Sequence, residues 1–229
     1  MNLFTDTRLT ALGILHATTP CVMGNMRLPQ NTQKLFEQQN IPESHIARFK
    51  QIHSDTLVCV SGLSQVQTLL KQPLLEADGW IISGTQIGAA ILTADCVPLI
   101  IWDESAQVMG LSHCGWRGVA AELPAKTARQ MRSCGAQGKL SAWVGPHIQG
   151  CCFEVQDDVA NQFPNAVQVR GNKKFVDLNQ EILRQLTQEN IAPQDIVFSK
   201  HCTYCEPENF FSFRRDHTKD ALLTFVYKP

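Results

Sequence analysis

Three side chains with metal-binding chemistry stand at the edges of apolar runs. His53 lies in QIHSDTLV, just ahead of TLVCV. Cys96 lies in TADCVP, between IGAAILT and VPLIIW. His113 lies in SHCGWRG, after QVMGLS. The apolar runs read as strands bounded by Gly, Asp and Pro, so each polar side chain sits where a strand ends or begins. Cys96 and His113 are 17 residues apart, about the span of one hairpin with WDESAQ (102–107) as its polar turn. Pairing of its strands would bring the two together. One thiolate and two imidazoles form a zinc donor set, and three protein ligands leave the fourth tetrahedral position for water, as in catalytic sites. The same residues also suit a plainer arrangement, in which Cys96 is a small buried apolar side chain and both histidines are hydrogen-bonded at the surface.

The neighbours of these residues carry chemistry of their own. Asp95 could accept a proton from a ligand histidine and fix its tautomer, orient a metal-bound water, or cap its own turn. Pro98 has no N–H and belongs at the first residue of a strand. Arg117, in GWRG, and Arg214 and Arg215, in SFRRD, could grip phosphate or a carboxylate, or serve structural ion pairs with Asp216 or Glu154. A helix starting near Arg117 would add its N-terminal N–H groups to an anion site. Trp116 could stack on a purine or simply fill core. Cys202-x-x-Cys205, with Cys151, Cys152, His147 and His201, admits a second metal or a redox pair. A lone C-x-x-C outside a βαβ setting is weak evidence for either. His16, His45 and His217 read as ordinary surface residues.

The elements that must hold these groups follow from pattern. Strands are expected at 56–60, 79–83, 87–93, 97–102, 107–112, 140–145 and 195–199, and helices at 118–133, 157–163 and 178–190. Gly135 follows the first of these helices as a C-terminal cap, and Pro124 fits only its first turn or a kink. Ile182, Leu183 and Leu186 share one helix face. Strands precede helices without strict alternation, which favours an α+β fold: a mixed, largely antiparallel sheet core, from about 56 to 145, flanked by helices. No repeat or linker divides the 229 residues, so a single domain over 1–229 is expected.

Composition narrows the function. Hydrophobic residues make up 44% of the chain and the net charge is −1, with no block of like charge. Neither a nucleic-acid stripe nor a polybasic membrane patch is expected. No apolar run reaches the ~18 residues of a spanning helix. The N-terminus lacks the basic and apolar regions of a secretory signal. Nine cysteines, scattered and odd in number, do not form a compact disulfide framework. Free or metal-bound thiols in a reducing cytoplasm are the expectation.

QIHSDTLV, ADGWI, ILTADCVPLI, HCGWRGVAAE, VGPHIQGCCFEV and FFSFRRD occur in this order between about residues 50 and 216. Together they resemble the YfiH-like family, which has been called polyphenol oxidase (laccase-like), purine nucleoside phosphorylase and peptidoglycan editing factor. The resemblance implies a zinc bound by His53, Cys96 and His113, and a fold that has been compared with cysteine hydrolases. The sequence departs from the family at both ends. An Asn-Leu-Gly, Gly-Asp and Asn-Arg pattern is reduced to MGNMRLPQNTQ, and Arg-Asp-Gly…Thr-Gly-Arg becomes RRDHTKDALL. If those segments wall the pocket, the substrate range changes while the metal site stays.

The resemblance implies phosphorolysis of purine nucleosides (adenosine, inosine, guanosine, methylthioadenosine) and adenosine deamination. Zinc would activate water for attack at the purine C6, and arginine would hold phosphate against the ribose C1′. The H-x-E with P-C-x-x-C signature of cytidine deaminases is absent. A second possibility is amide hydrolysis in editing a muramoyl peptide, by zinc or with Cys96 as nucleophile and His113 as base. Copper could occupy the same site, but multicopper oxidases use about ten histidines, many in H-x-H pairs, and this chain has seven and no such pair. A purely structural zinc module would need a fourth protein ligand.

Overall fold

VPLIIW is apolar at every residue, which requires a strand covered on both faces. The computed structural model, which describes residues 3–229, covers it that way. In chain order the strands are β1 (Leu15–Thr18), β2 (Ile46–Ala47), β3 (Leu57–Ser61), β4 (Gly79–Ser83), β5 (Ile87–Thr93), β6 (Val97–Asp103), β7 (Val108–Cys114), β8 (Leu140–Val144), β9 (Glu154–Val155), β10 (Val167–Arg170), β11 (Lys173–Val176), β12 (Ile196–Phe198) and β13 (Leu222–Lys228). The helices are α1 (Thr7–Ala11), α2 (Pro29–Gln38), α3 (Leu63–Leu69), α4 (Trp116–Ala120), α5 (Leu123–Ser133), α6 (Asp157–Ala160), α7 (Leu178–Gln188) and α8 (Phe213–Asp216).

The central sheet has six strands in the order β12-β8-β6-β7-β4-β3. A second sheet has the order β1-β13-β5-β2, and a small third sheet β10-β11-β9. Most pairings are antiparallel; β3–β4, β2–β5 and β8–β12 are parallel. This is the mixed, largely antiparallel α+β architecture expected from the sequence.

Alternation along β6 shows how the layers stack. Leu99 and Ile101 pack with Leu123, Met131, Ile182 and Leu186 under the helices. Ile100 and Trp102 pack with Ile87, Ala89 and Ile91 of the second sheet. The outer face of the second sheet is closed by Leu35 and Phe36 of α2. At the burial seen here, each such Leu or Ile contributes about 1.5–3 kcal/mol relative to exposure. Gly110 of β7 lets α5 approach, since a Cβ there would lie 2.5 Å from Thr127 Cγ2. The WDESAQ turn closes as expected: the Asp103 carboxylate accepts the N–H groups of Gln107 and Val108 at 2.8 and 3.1 Å.

Several details differ from the sequence expectation. The helix expected over 118–133 is two helices, α4 and α5. Glu122 breaks it with a left-handed φ of 62°, and Pro124 sits in the first turn of α5. The helix expected over 157–163 stops at Ala160, and the strand expected to end at 112 runs on through Cys114. The helix α3, not expected from the sequence, links the parallel pair β3–β4. The strands β1 and β13, unforeseen, complete the second sheet. His16 is not a surface residue. It is buried, accepts the Asp6 N–H at 2.8 Å and donates to the Ile14 carbonyl at 3.0 Å, and burial lowers its pKa.

Candidate metal centre and active-site groove

The hairpin β6–β7 brings Cys96 and His113 together. Val97 pairs with Cys114 and Pro98 with His113, so Cys96, one residue ahead of β6, lies beside the end of β7. His53 arrives from the loop before β3. Ligand atoms of His53, Cys96 and His113 all lie within 4.8 Å of one another, and the two imidazole rings meet edge to face at 4.8 Å between centroids. Exposure grades across the trio: His113 is buried, Cys96 half-buried and His53 exposed. The open side is therefore at His53.

A carboxylate that the sequence left without a role organises the trio. Asp78, in ADGWI, is fully buried just before β4. Its Oδ1 lies 2.8 Å from His113 Nδ1 and accepts the His53 N–H at 3.1 Å. Its Oδ2 accepts the N–H groups of Ile52 and Ser54 and the Ser54 hydroxyl. Burial alone would raise its pKa, but the bonds from His113 and Ser54 hold it below the usual carboxylate range. These bonds also hold the His53 backbone at φ 58°, a conformation few residues other than Gly, Asn and Asp adopt.

Asp95 does not make the contact to a ligand histidine considered for it. Its own φ is 87°, which turns its side chain away from the imidazoles. Oδ1 accepts the Thr203 hydroxyl at 2.6 Å and Oδ2 the Arg214 N–H at 2.7 Å. The carboxylate thus ties the strand end that carries Cys96 to the segment that carries Arg214.

The electrostatics of the trio are strongly coupled. Burial would push the Cys96 thiol up, but the adjacent His113 and hydrogen bonds from both histidines bring it down to about 6. Burial would push His113 down, but Cys96 and Asp78 raise it to about 9. Without a metal the pair is a thiolate and an imidazolium at neutral pH. Such a pair suits either a cation that replaces the proton or nucleophilic catalysis.

The trio fits a metal ion. The Asp78 bond commits His113 Nδ1–H as donor and leaves Nε2 toward Cys96, the arrangement of an oriented ligand histidine. Gly115 supplies the cradle: a Cβ there would lie 2.7 Å from His53 Nδ1 and 3.3 Å from Cys96 Sγ. One sulfur and two imidazoles suit zinc, and copper as well.

Beside the trio lies an open groove of about 550 Å³, walled by Trp116, Phe153, Val155, Gln156, Val159 and Arg214, among others. Trp116 follows Gly115, and Arg214 hangs from Asp95, so the groove begins next to the metal-capable donors. Arg117 is exposed, stacks at 4.3 Å on Trp116, and has no ion pair among the described residues. Trp116 is therefore groove wall as well as core edge. The guanidinium of Arg214 lies 5.4 Å from the Phe153 ring and donates to the Glu154 carbonyl. Arg215 is committed elsewhere, to Asp216 and to the carbonyls of Thr203, Tyr204 and Phe210. Because α4 has only five residues, any anion affinity at Arg117 rests on the guanidinium more than on a helix dipole.

A family profile described as multi-copper polyphenol oxidoreductase laccase matches residues 25–226. The chain is 35% identical over 154 residues to a protein of Aquifex aeolicus named purine nucleoside phosphorylase, covering 67% of this chain and 72% of that one. It is 35% identical over 144 residues to adenosine deaminase RL5 of an unknown prokaryotic organism, covering 58% and 54%. The crystal structure of the hypothetical protein YfiH of Bacillus licheniformis superposes with a TM-score of 0.85 at 22% identity, covering 95% of this chain and 93% of that one. With a profile match across most of its length and the same fold from end to end, this chain belongs to the YfiH-like family.

Proposed function

We propose that the protein is a zinc-dependent purine nucleoside phosphorylase that also deaminates adenosine. The observation that carries this reading is the convergence of His53, Cys96 and His113, with His113 oriented by Asp78, near a groove walled by Trp116 and Arg214, with Arg117 stacked on that indole. The names of the relatives, purine nucleoside phosphorylase and adenosine deaminase, supply the substrate class.

In this reading His53, Cys96 and His113 hold the zinc, and Asp78 keeps His113 in the ligand tautomer. A zinc there supplies Lewis acidity and brings the pKa of water toward ~7. Trp116 offers a face for the purine. Arg117 and Arg214 bind phosphate through charge-assisted bonds and hold one of its oxygens toward the ribose C1′. That oxygen forms the new C–O bond while the glycosidic electron pair leaves with the purine. Asp95 acts on Arg214 as a positioning residue. One observation favours a second reading, amide hydrolysis: the Cys96 thiolate and His113 imidazolium form a nucleophile–acid pair without any metal.

The deciding experiment incubates metal-analysed protein with a nucleoside panel, with and without phosphate, and separates bases and sugar phosphates by chromatography. Phosphate-dependent release of free base with ribose 1-phosphate supports phosphorolysis. Turnover that ignores phosphate turns the reading toward hydrolysis.

A further inference from the structure

We propose that Cys151, Cys152, Cys202 and Cys205 form a second metal centre, a four-thiolate zinc site that pins the wall of the groove. The four sulfurs all lie within 4.8 Å of one another. Cys152–Cys205, Cys151–Cys202 and Cys151–Cys205 are 3.2, 3.7 and 3.9 Å apart. A zinc at about 2.3 Å from each of four sulfurs sets tetrahedral edges of about 3.8 Å. A disulfide needs about 2.05 Å, so all four thiols are free, and their separations bracket the edge that a zinc would set.

The backbone is shaped for ligation. Cys202-x-x-Cys205 is a tight turn, with the Cys205 N–H donating to the Cys202 carbonyl at 3.1 Å. The Gln149 N–H donates to Cys202 Sγ at 3.4 Å. The other pair is pre-placed by contacts between its loop and this turn. The Thr203 N–H donates to the His147 carbonyl at 3.1 Å, and the Gln149 side chain reaches the carbonyls of Ser199 and His201.

Loading the site releases the thiol protons to solvent and leaves four thiolates around a divalent ion, a net charge of −2. Two guanidinium groups stand beside that charge. Arg170 donates to the carbonyls of Gly150 and Cys151, and Arg215 to those of Thr203 and Tyr204. Four protein ligands leave no open position, which is the structural class of zinc site. What it holds in place is specific. Thr203, between two ligands, bonds Asp95, and the Ile148 N–H bonds the Asp95 carbonyl at 3.0 Å. Phe153, next to Cys152, lines the groove. The centre therefore stiffens the part of the groove wall formed by Phe153 and Arg214.

The test uses full-length Cys96→Ser protein, which keeps the first site from contributing its thiolate. Reduced, chelator-stripped protein is titrated with cobalt(II). The expected result is the intense thiolate-to-cobalt charge-transfer band and visible bands of a tetrahedral tetrathiolate, saturating at one cobalt per chain and bleached by zinc. The same protein should melt at higher temperature with zinc than without. Adding Cys202→Ser and Cys205→Ser should remove the spectrum. Absence of the bands in the Cys96→Ser protein overturns the proposal without reference to any variant of the cluster. So does mass-spectrometric mapping of Cys152–Cys205 and Cys151–Cys202 disulfides in protein prepared with zinc under reducing conditions.

Discussion

The carboxylate of Asp78 lies 2.8 Å from Nδ1 of His113, and neither side chain meets solvent. The same oxygen accepts the His53 N–H, so one buried group sets the ring of one proposed ligand and the backbone of another. Asp78→Asn keeps the shape, but its amide N–H₂ must face either the His113 ring or the N–H groups of the 52–54 loop. Metal affinity should fall about 10- to 100-fold, as when the partner of a ligand histidine is lost. A competition titration against a chelating dye measures it, with circular dichroism to check folding. Unchanged affinity would remove Asp78 from the metal's support.

Metal uptake should depend on pH in two stages. His113 must lose its second proton to become a ligand, and its metal-free pKa is raised to about 9. Cys96 is already a thiolate above about 6. Falling pH therefore weakens binding through His113, by about tenfold per unit from pH 9 to 6. Below about 6 Cys96 protonates as well, and the decline steepens. Calorimetry in buffers of different ionisation enthalpy reports the protons released. Affinity that stays level between pH 6 and 9 would contradict the thiolate–imidazolium pair.

The arginines separate phosphorolysis from water-driven chemistry. Arg117→Ala and Arg214→Ala should each remove a charge-assisted contact of roughly 1.5–3 kcal/mol. Phosphorolysis should fall about 10- to 150-fold, with a raised KM for phosphate and unchanged zinc content. Adenosine deamination needs no phosphate and should lose less. Equal loss of both activities at Arg117 would assign it to the shape of the groove, where it already stacks on Trp116.

Local pattern predicted the part of this site that local pattern builds. Cys96 and His113 sit at the two ends of one hairpin, and turn chemistry plus apolar runs are enough to place such ends side by side. Asp78 is 25 residues from His53 and 35 from His113. Its role depends on β4 inserting between β7 and β3, and no feature within ADGWI sets that order. The failure at Glu122 is of another kind: helix-forming residues run through it, and a single left-handed residue divides the helix. ALLTFVYK carries the apolar run of a strand, but its place between β1 and β5 depends on partners far away in sequence, such as Leu15 for Tyr227 and Thr93 for Leu222. Cys151 and Cys152 meet Cys202 and Cys205 only because two loops share a bridge at His147 and Cys202.

We propose that the chain unfolds as one cooperative unit. The second sheet joins β1 to β13, and the central sheet draws strands from Leu57 to Phe198. Removing residues 222–229 takes an inner strand out of the second sheet, deletes the buried side chains of Leu222, Leu223, Phe225 and Val226, and uncovers Phe36, Ala90 and Ile91, which pack with them. The shortened chain should lose its cooperative thermal transition. Limited proteolysis of the intact chain should yield no pair of stable halves, and two separately folding fragments would refute the single unit.

The most direct measurement follows ribose 1-phosphate formed from inosine and phosphate as zinc is added back to chelator-stripped protein, in parallel for the wild type and Cys96→Ser. The wild type should gain activity with zinc, and Cys96→Ser, still folded, should gain none. Equal zinc-dependent activity in the two proteins, or none in the zinc-loaded wild type, would contradict a phosphorolytic centre at His53, Cys96 and His113.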